Sequence, residues 1–327
     1  MTTIASLSIA ARATLDMHSL NNEGGEGNQI QTRMVDIVGT DGQMHNVNAI
    51  SGDMLKHIQA QHFFELAREQ QLPLCRGCAT FNANRINADS EWLARSAQLT
   101  DREALTSLLH TCALDDAEGI LITADKRSLP RKSVVEFGWV VGVPQHVASD
   151  SYFHVKYASE RNKDRITTDA TAREKDGSNL GQAIFHRPAS SGIYAIVCHL
   201  ELGRIGYNDI AQEYVLEEAE RNRRARALIQ SVLHTFVELN GAMRATQLPH
   251  LVGLQGAITQ SRSGAIPAPL MSPLQDDYCA QAEMITKALN GTSQTVSFDA
   301  FDTLGSFAEQ MRVLLDDLQV GSLVGPR

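Results

Sequence analysis

Residues 6–18 read SLSIAARATLDMH. Leu7, Ile9, Ala11, Ala13, Leu15 and Met17 alternate with Ser6, Ser8, Ala10, Arg12, Thr14, Asp16 and His18. A period of two over this length predicts one long strand with an apolar face for a core. Its other face carries small hydroxyls around Arg12, as a solvated or a ligand-binding sheet face would.

Outward from that strand, the glycine- and asparagine-rich stretch SLNNEGGEGNQ (19–29) predicts a loop, MVDIV (34–38) a second strand and Asp41-Gly42 a turn. Ser51 is placed to cap a helix reaching about Gln71, with Leu55, Ile58, His62, Phe63, Leu66 and Ala67 inward, before Pro73. A cysteine-bearing stretch leads to a second helix near Ser90 to His110. Strands follow at 119–123 and 133–143. After Pro144 about fifty polar, charged residues form an insertion, an extended hairpin or a loop. The apolar run 192–202 returns to the core. Asn208-Asp209 reads as the cap of a long helix packed through Leu228, Ile229, Val232, Leu233, Phe236 and Val237 and ended by Gly241. A strand at 250–259 and helices near 273–289 and 302–319 complete the chain.

This order suits an α+β fold: an antiparallel sheet backed by helices, in the manner of an RRM-like, ferredoxin-type domain whose open face meets RNA. The expected division is an RRM-like domain over 1–143 and 191–270, with a helical, cysteine-bearing insertion at about 72–117. A basic insertion spans 144–190 and a C-terminal helical tail 271–327.

The chain has 327 residues, 43% of them hydrophobic, enough for a sizeable core. It contains no apolar run of the roughly 18 residues that cross a bilayer. Its five cysteines fit a reduced, cytoplasmic setting better than a disulfide framework. The net charge of −9 argues against a nucleic-acid partner, but its distribution argues for one. Residues 1–120 carry 8 basic and 15 acidic groups and residues 271–327 carry 3 and 8, whereas residues 121–187 carry 11 and 8. An anionic ligand would meet the middle of the chain.

Lys56 falls near the first turn of the helix capped by Ser51, where a cation opposes the helix dipole. A phosphate held by Ser51, Gly52 and Lys56 would relieve that opposition; a plain surface lysine is the alternative. In the insertion, Lys156, Arg161, Lys163 and Arg165 lie among Tyr152, Phe153 and Tyr157, a mix suited to phosphate contact and base stacking, or to a solvated surface. Cys75 and Cys78 form a CxxC pair. With Cys112 and His110 they would complete a tetrahedral zinc set, although reduced, buried thiols fit the same residues. The arginines at 221, 223, 224 and 226 are explained by pairing with Glu217, Glu218 and Glu220 one turn earlier.

The segment SLSIAARATLDMHSLNNEGGEGN, followed by NAISGDMLKH, resembles the start of the DevR family, the backbone subunits of type I CRISPR surveillance complexes (Cascade). Residues 112–144, 191–206 and 225–251 are similar to the same family. The resemblance implies an RRM-like palm (1–143 and 191–270) with a thumb-like hairpin (144–190), in a non-catalytic subunit that polymerises along guide RNA (crRNA), its thumb pinning the RNA against the next copy, with other Cascade subunits and, through the guide, target DNA as partners. Carried over residue by residue, it implies RNA contacts at Arg12, Asn21, Asn22, Ser51, Lys56, His57, Arg131, Lys132, Arg244 and His250. A competing reading is a metal-dependent endoribonuclease, since related type III backbone subunits cut RNA with an aspartate in the loop after the first strand. Here that loop offers Asn21, Asn22, Glu23 and Glu26 and no aspartate. A nucleotide-binding enzyme is disfavoured, because no Walker lysine follows the glycines.

Overall fold

A computed structural model of the protein describes residues 2–26, 29–124, 127–157 and 182–323. The strand Ser6–His18 lies inside an antiparallel sheet. From one edge the sheet runs Val296–Phe301, His250–Ser261, Ser6–His18, Gln182–Leu200, Val140–Tyr157, Met44–Ile50, Met34–Val38. Leu7, Ile9, Ala11, Ala13 and Leu15 are buried, as their alternation requires. Against them lie the helices Gly52–Glu69 and Glu218–Val237, whose Leu55, Ile58, Phe63, Leu228, Ile229, Val232 and Phe236 belong to one core. A buried hydrogen bond from Gln59 Nε2 to Ser231 Oγ (2.8 Å) fixes the register between the two helices.

Several expectations are corrected. The helix expected over 90–110 is two helices, Ser90–Ser96 and Asp101–Thr111, because Thr100 and Glu103 form a reciprocal capping box that starts a new one. Asn208 does not cap the long helix. Its Oδ1 accepts the N–H groups of Ile210 and Ala211, closing a turn, and the helix begins at Glu218. The loop after the first strand contains a small hairpin, Asn22–Glu26 with Gln29–Thr32. The C-terminal segment is not purely helical: between Tyr278–Asn290 and Leu304–Asp317 the strand Val296–Phe301 joins the sheet edge, and Leu318–Val320 pairs in parallel with Thr2–Ile4.

The insertion is continuous with the core. Its arms are the outer halves of Val140–Tyr157 and Gln182–Leu200, paired as far as Tyr157 and Gln182. A bulge between Gly142 and Val147 bends the first arm where it leaves the core. Opposite the bulge, Gly192 has φ +153°, and a Cβ there would lie 2.3 Å from the His146 carbonyl oxygen. Only glycine allows the two arms to approach so closely at the root.

The polar face of Ser6–His18 is not open. Residues 266–278 lie across it, and Ser8 Oγ donates to the Ala268 carbonyl (3.1 Å) and Thr259 Oγ1 to that of Pro269 (2.5 Å). The alternation predicts two faces; it is silent on what covers the second one.

Candidate functional site

Arg12 projects from the covered face. Its Nε donates to the Pro273 carbonyl (2.7 Å), Nη2 pairs with Asp276 (2.8 Å), and the guanidinium lies 5.7 Å from the Tyr278 ring centroid. It ties down the covering segment, with its guanidinium paired to Asp276 rather than facing open solvent.

The first helix begins as its sequence predicts: Ser51 Oγ accepts the Met54 N–H (3.2 Å). Its N-terminus is nevertheless closed on one side. A Cβ on Gly52 would lie 2.6 Å from the Phe137 carbonyl oxygen and 3.1 Å from that of Gly138, so acceptors rather than an anion crowd that side. Lys56 turns inward: Nζ donates to Ser133 Oγ and to the Val135 carbonyl (3.0 Å) and lies 3.9 Å from the buried Glu118 carboxylate. Burial lowers the Lys56 pKa and raises that of Glu118, each partly opposed by the partner's charge. Lys56 is therefore an internal ion-pair partner, and the phosphate triad of Ser51, Gly52 and Lys56 is not assembled. Asn21 is also structural, its buried Oδ1 accepting the Ser51 N–H (2.9 Å).

Arg131 is corrected most sharply. Its side chain is 0% exposed. It donates to Asp116 Oδ1 (2.6 Å), Asp209 Oδ2 (3.1 Å) and the carbonyls of Asp116, Arg204 and Tyr207. Asp116 also receives Arg224 Nη1 (2.9 Å) and the Gly206 N–H (3.1 Å). Arg224 and Arg223 pair with Glu220 as expected, but Arg221 and Arg226 hold backbone carbonyls instead.

His57, Lys132, Arg244 and His250, also expected to meet RNA, are accessible. Lys132 is exposed and pairs with Glu201 (2.7 Å) and Glu136 (3.6 Å). His57 is exposed beside Phe81, with ring centroids 5.6 Å apart. Arg244 is exposed and paired with Glu238 (3.2 Å), and His250 is exposed opposite Asp16 in the sheet register. On the hairpin, Tyr152 and Phe153 are 43% and 59% exposed. Arg161, Lys163 and Arg165 lie outside the described residues, as do the side chains of Asn22 and Lys156.

The cysteine prediction is partly corrected. Cys75, Cys78 and Cys112 converge, but His110 points to solvent, and the fourth group is Asp115. The three sulfurs and a carboxylate oxygen all lie within 4.8 Å of one another, and all four residues are buried. Both the Cys75 and Cys78 thiols donate to Asp115 Oδ2 (3.4 and 3.5 Å). Hydrogen bonding by the Cys112 thiol lowers the Cys75 pKa, while burial raises those of Cys112 and Asp115. Such a cluster could hold a metal ion. The missed signal is that Cys112-Ala-Leu-Asp115 repeats the two-residue gap of Cys75-Arg-Gly-Cys78. Among the described residues, no helix is long and apolar enough to cross a membrane.

The family profile described as "CRISPR-associated negative auto-regulator DevR/Csa2" matches residues 9–283, and the chain belongs to this family. A relative from Methanocaldococcus jannaschii, "CRISPR-associated protein Cas7/Cst2/DevR", is 25% identical over 280 residues, 83% of this chain and 85% of that one. "CRISPR-associated protein Cas7/Csa2 1" of Saccharolobus solfataricus is 20% identical over 259 residues, 76% of each chain. A chain of a solved "CRISPR RNA-guided surveillance complex" superposes with a TM-score of 0.49 at 11% identity, covering 95% of this chain and 98% of that one.

Proposed function

We propose that the protein is a backbone subunit of a CRISPR surveillance complex, cytoplasmic and non-catalytic, that binds guide RNA and oligomerises along it. Family membership over residues 9–283 carries this reading. The palm is RRM-like. Ser6–His18, helix 52–69, Val140–Tyr157, Gln182–Leu200, helix 218–237 and His250–Ser261 run in the β-α-β-β-α-β order of ferredoxin-type domains. Residues 144–190 serve as the thumb, reaching RNA held by the next copy. Its exposed Tyr152 and Phe153 offer stacking surfaces, and its basic residues Lys156, Arg161, Lys163 and Arg165 meet phosphates. His57, Lys132, Arg244 and His250 are the palm's accessible contacts. With the sheet's polar face covered near Arg12, the RNA path runs along the hairpin and the sheet edges. Head-to-tail contacts do not close on themselves, so filament length follows RNA length. Through the guide, the assembly with other Cascade subunits meets target DNA.

The test is purification from cells co-expressing a guide RNA. Co-purified RNA of uniform length, and particles lengthening with longer guides, are the expected results. Protein that emerges free of RNA and fails to bind labelled guide at low salt overturns the reading. Incubating the loaded complex with complementary RNA and manganese tests the absence of cleavage. Regularly spaced cuts that vanish in Glu23→Ala would make it an endoribonuclease.

A further inference from the structure

The short helix Ala113–Glu118 is buried at every residue yet carries three acids, Asp115, Asp116 and Glu118. A buried carboxylate needs a compensating cation. Asp116 has two, Arg131 at 2.6 Å and Arg224 at 2.9 Å, and Glu118 has Lys56 at 3.9 Å. Asp115 forms no ion pair among the described residues. Its Oδ1 is buried without a hydrogen-bond partner, and its Oδ2 faces the Cys75 and Cys78 thiols. The missing charge coincides with the convergence of three sulfurs.

We propose that Cys75, Cys78, Cys112 and Asp115 bind one structural zinc ion, which supplies the cation that Asp115 lacks. The local geometry is that of two matching knuckles. Cys75 caps the helix turn Arg76–Ala79 by accepting the Cys78 N–H at 3.3 Å, and Cys112 caps Ala113–Glu118 by accepting the Asp115 N–H at 3.4 Å. In each, the residue three positions on is the second ligand. Backbone donors directed at sulfur favour thiolate, the form that binds metal. Gly77 closes the first knuckle so tightly that a Cβ there would lie 2.0 Å from the Arg85 carbonyl oxygen. Thiolate-rich, four-coordinate and closed to solvent, the set matches a structural zinc site and offers no open position for catalysis. Binding displaces the thiol protons to solvent, and the Asp115 proton where one is present. The ion joins residues 73–80 to residues 112–118, already linked by the hydrogen bond from the Ala113 N–H to the Pro73 carbonyl (2.8 Å). It thereby anchors the helix that also holds Arg131, Arg224 and Lys56.

Elemental analysis of the full chain, purified without chelator or metal-affinity resin, tests the proposal. About one zinc per chain is expected. His110→Ala should keep that zinc. Asp115→Ala, which removes a direct ligand, should lower the affinity by at least the roughly 10- to 100-fold seen for outer partners. Because cysteine variants can misfold, cobalt exchange into the wild-type protein gives a second readout. Visible bands of tetrahedral thiolate-bound cobalt are expected, and they should be unchanged in His110→Ala. Metal-free protein that acquires no such bands, iron in place of zinc, or zinc lost in His110→Ala but kept in Asp115→Ala would each overturn the assignment.

Discussion

Replacing Arg131 by methionine separates a structural arginine from an RNA-binding one. The side chain is fully buried and makes five hydrogen bonds, two to carboxylates and three to carbonyls. Methionine fills most of the volume but leaves the carbonyls of Tyr207 and Arg204 without their donor and Asp116 with Arg224 as its remaining ion-pair partner. Removing one member of a buried ion-pair network costs about 3–5 kcal/mol. At about 2.1 cal/mol/K per residue, a chain of 327 residues unfolds with an entropy of about 0.7 kcal/mol/K. Arg131→Met should therefore lower Tm by about 4–7 °C in calorimetry. The neighbouring exposed Lys132, replaced in the same way, removes surface pairs worth less than about 1 kcal/mol and should shift Tm by less than about 1.5 °C. Guide-RNA affinity should be measured below both transitions at several salt concentrations. Arg131→Met should leave the salt slope unchanged, because no phosphate contact is removed. An unchanged Tm together with a slope lower by about one unit would refute the buried-network account.

Gly192→Ala should damage the hairpin root. The new methyl meets the His146 carbonyl oxygen at 2.3 Å and Val147 Cα at 2.6 Å, costing about 1–3 kcal/mol, read as a lower Tm and less guide RNA retained on purification; wild-type values for both would contradict the close approach. His18 gives the fold a pH dependence. Burial lowers its pKa from 6.5 to about 4, so between those values the unfolded chain binds the proton that the native chain refuses. Its contribution is complete above about pH 6.5 and is lost as pH falls toward 4, by about 3 kcal/mol in all. Denaturant titrations across that range should show the loss, and His18→Gln should remove that part of it; an equal pH dependence in the variant would assign it elsewhere.

The alternation in SLSIAARATLDMH by itself determined a long strand and the side that would be buried, because side chains on a strand must alternate between its faces. The capped helix at Ser51 and the core half of the strand Gln182–Leu200 were legible for similarly local reasons. The same local patterns carry the resemblance that family membership bears out. Tertiary structure alone decided what the polar groups meet. Arg12 reads as a charge on an open face until residues 266–278 cross it, and Lys56 reads as a misplaced surface cation until Glu118 lies 3.9 Å away. Arg131 looks like the basic start of a strand until Asp116 and Arg224 enclose it. Cys75 and Cys78 marked the cysteine cluster in the sequence, whereas folding chose Asp115 over His110 as its fourth member, since the helix beginning after Cys112 directs Asp115 inward while His110 faces water. Periodicity is a property of neighbouring residues, but the partner of a charge is set by chain segments that meet only once the core has formed.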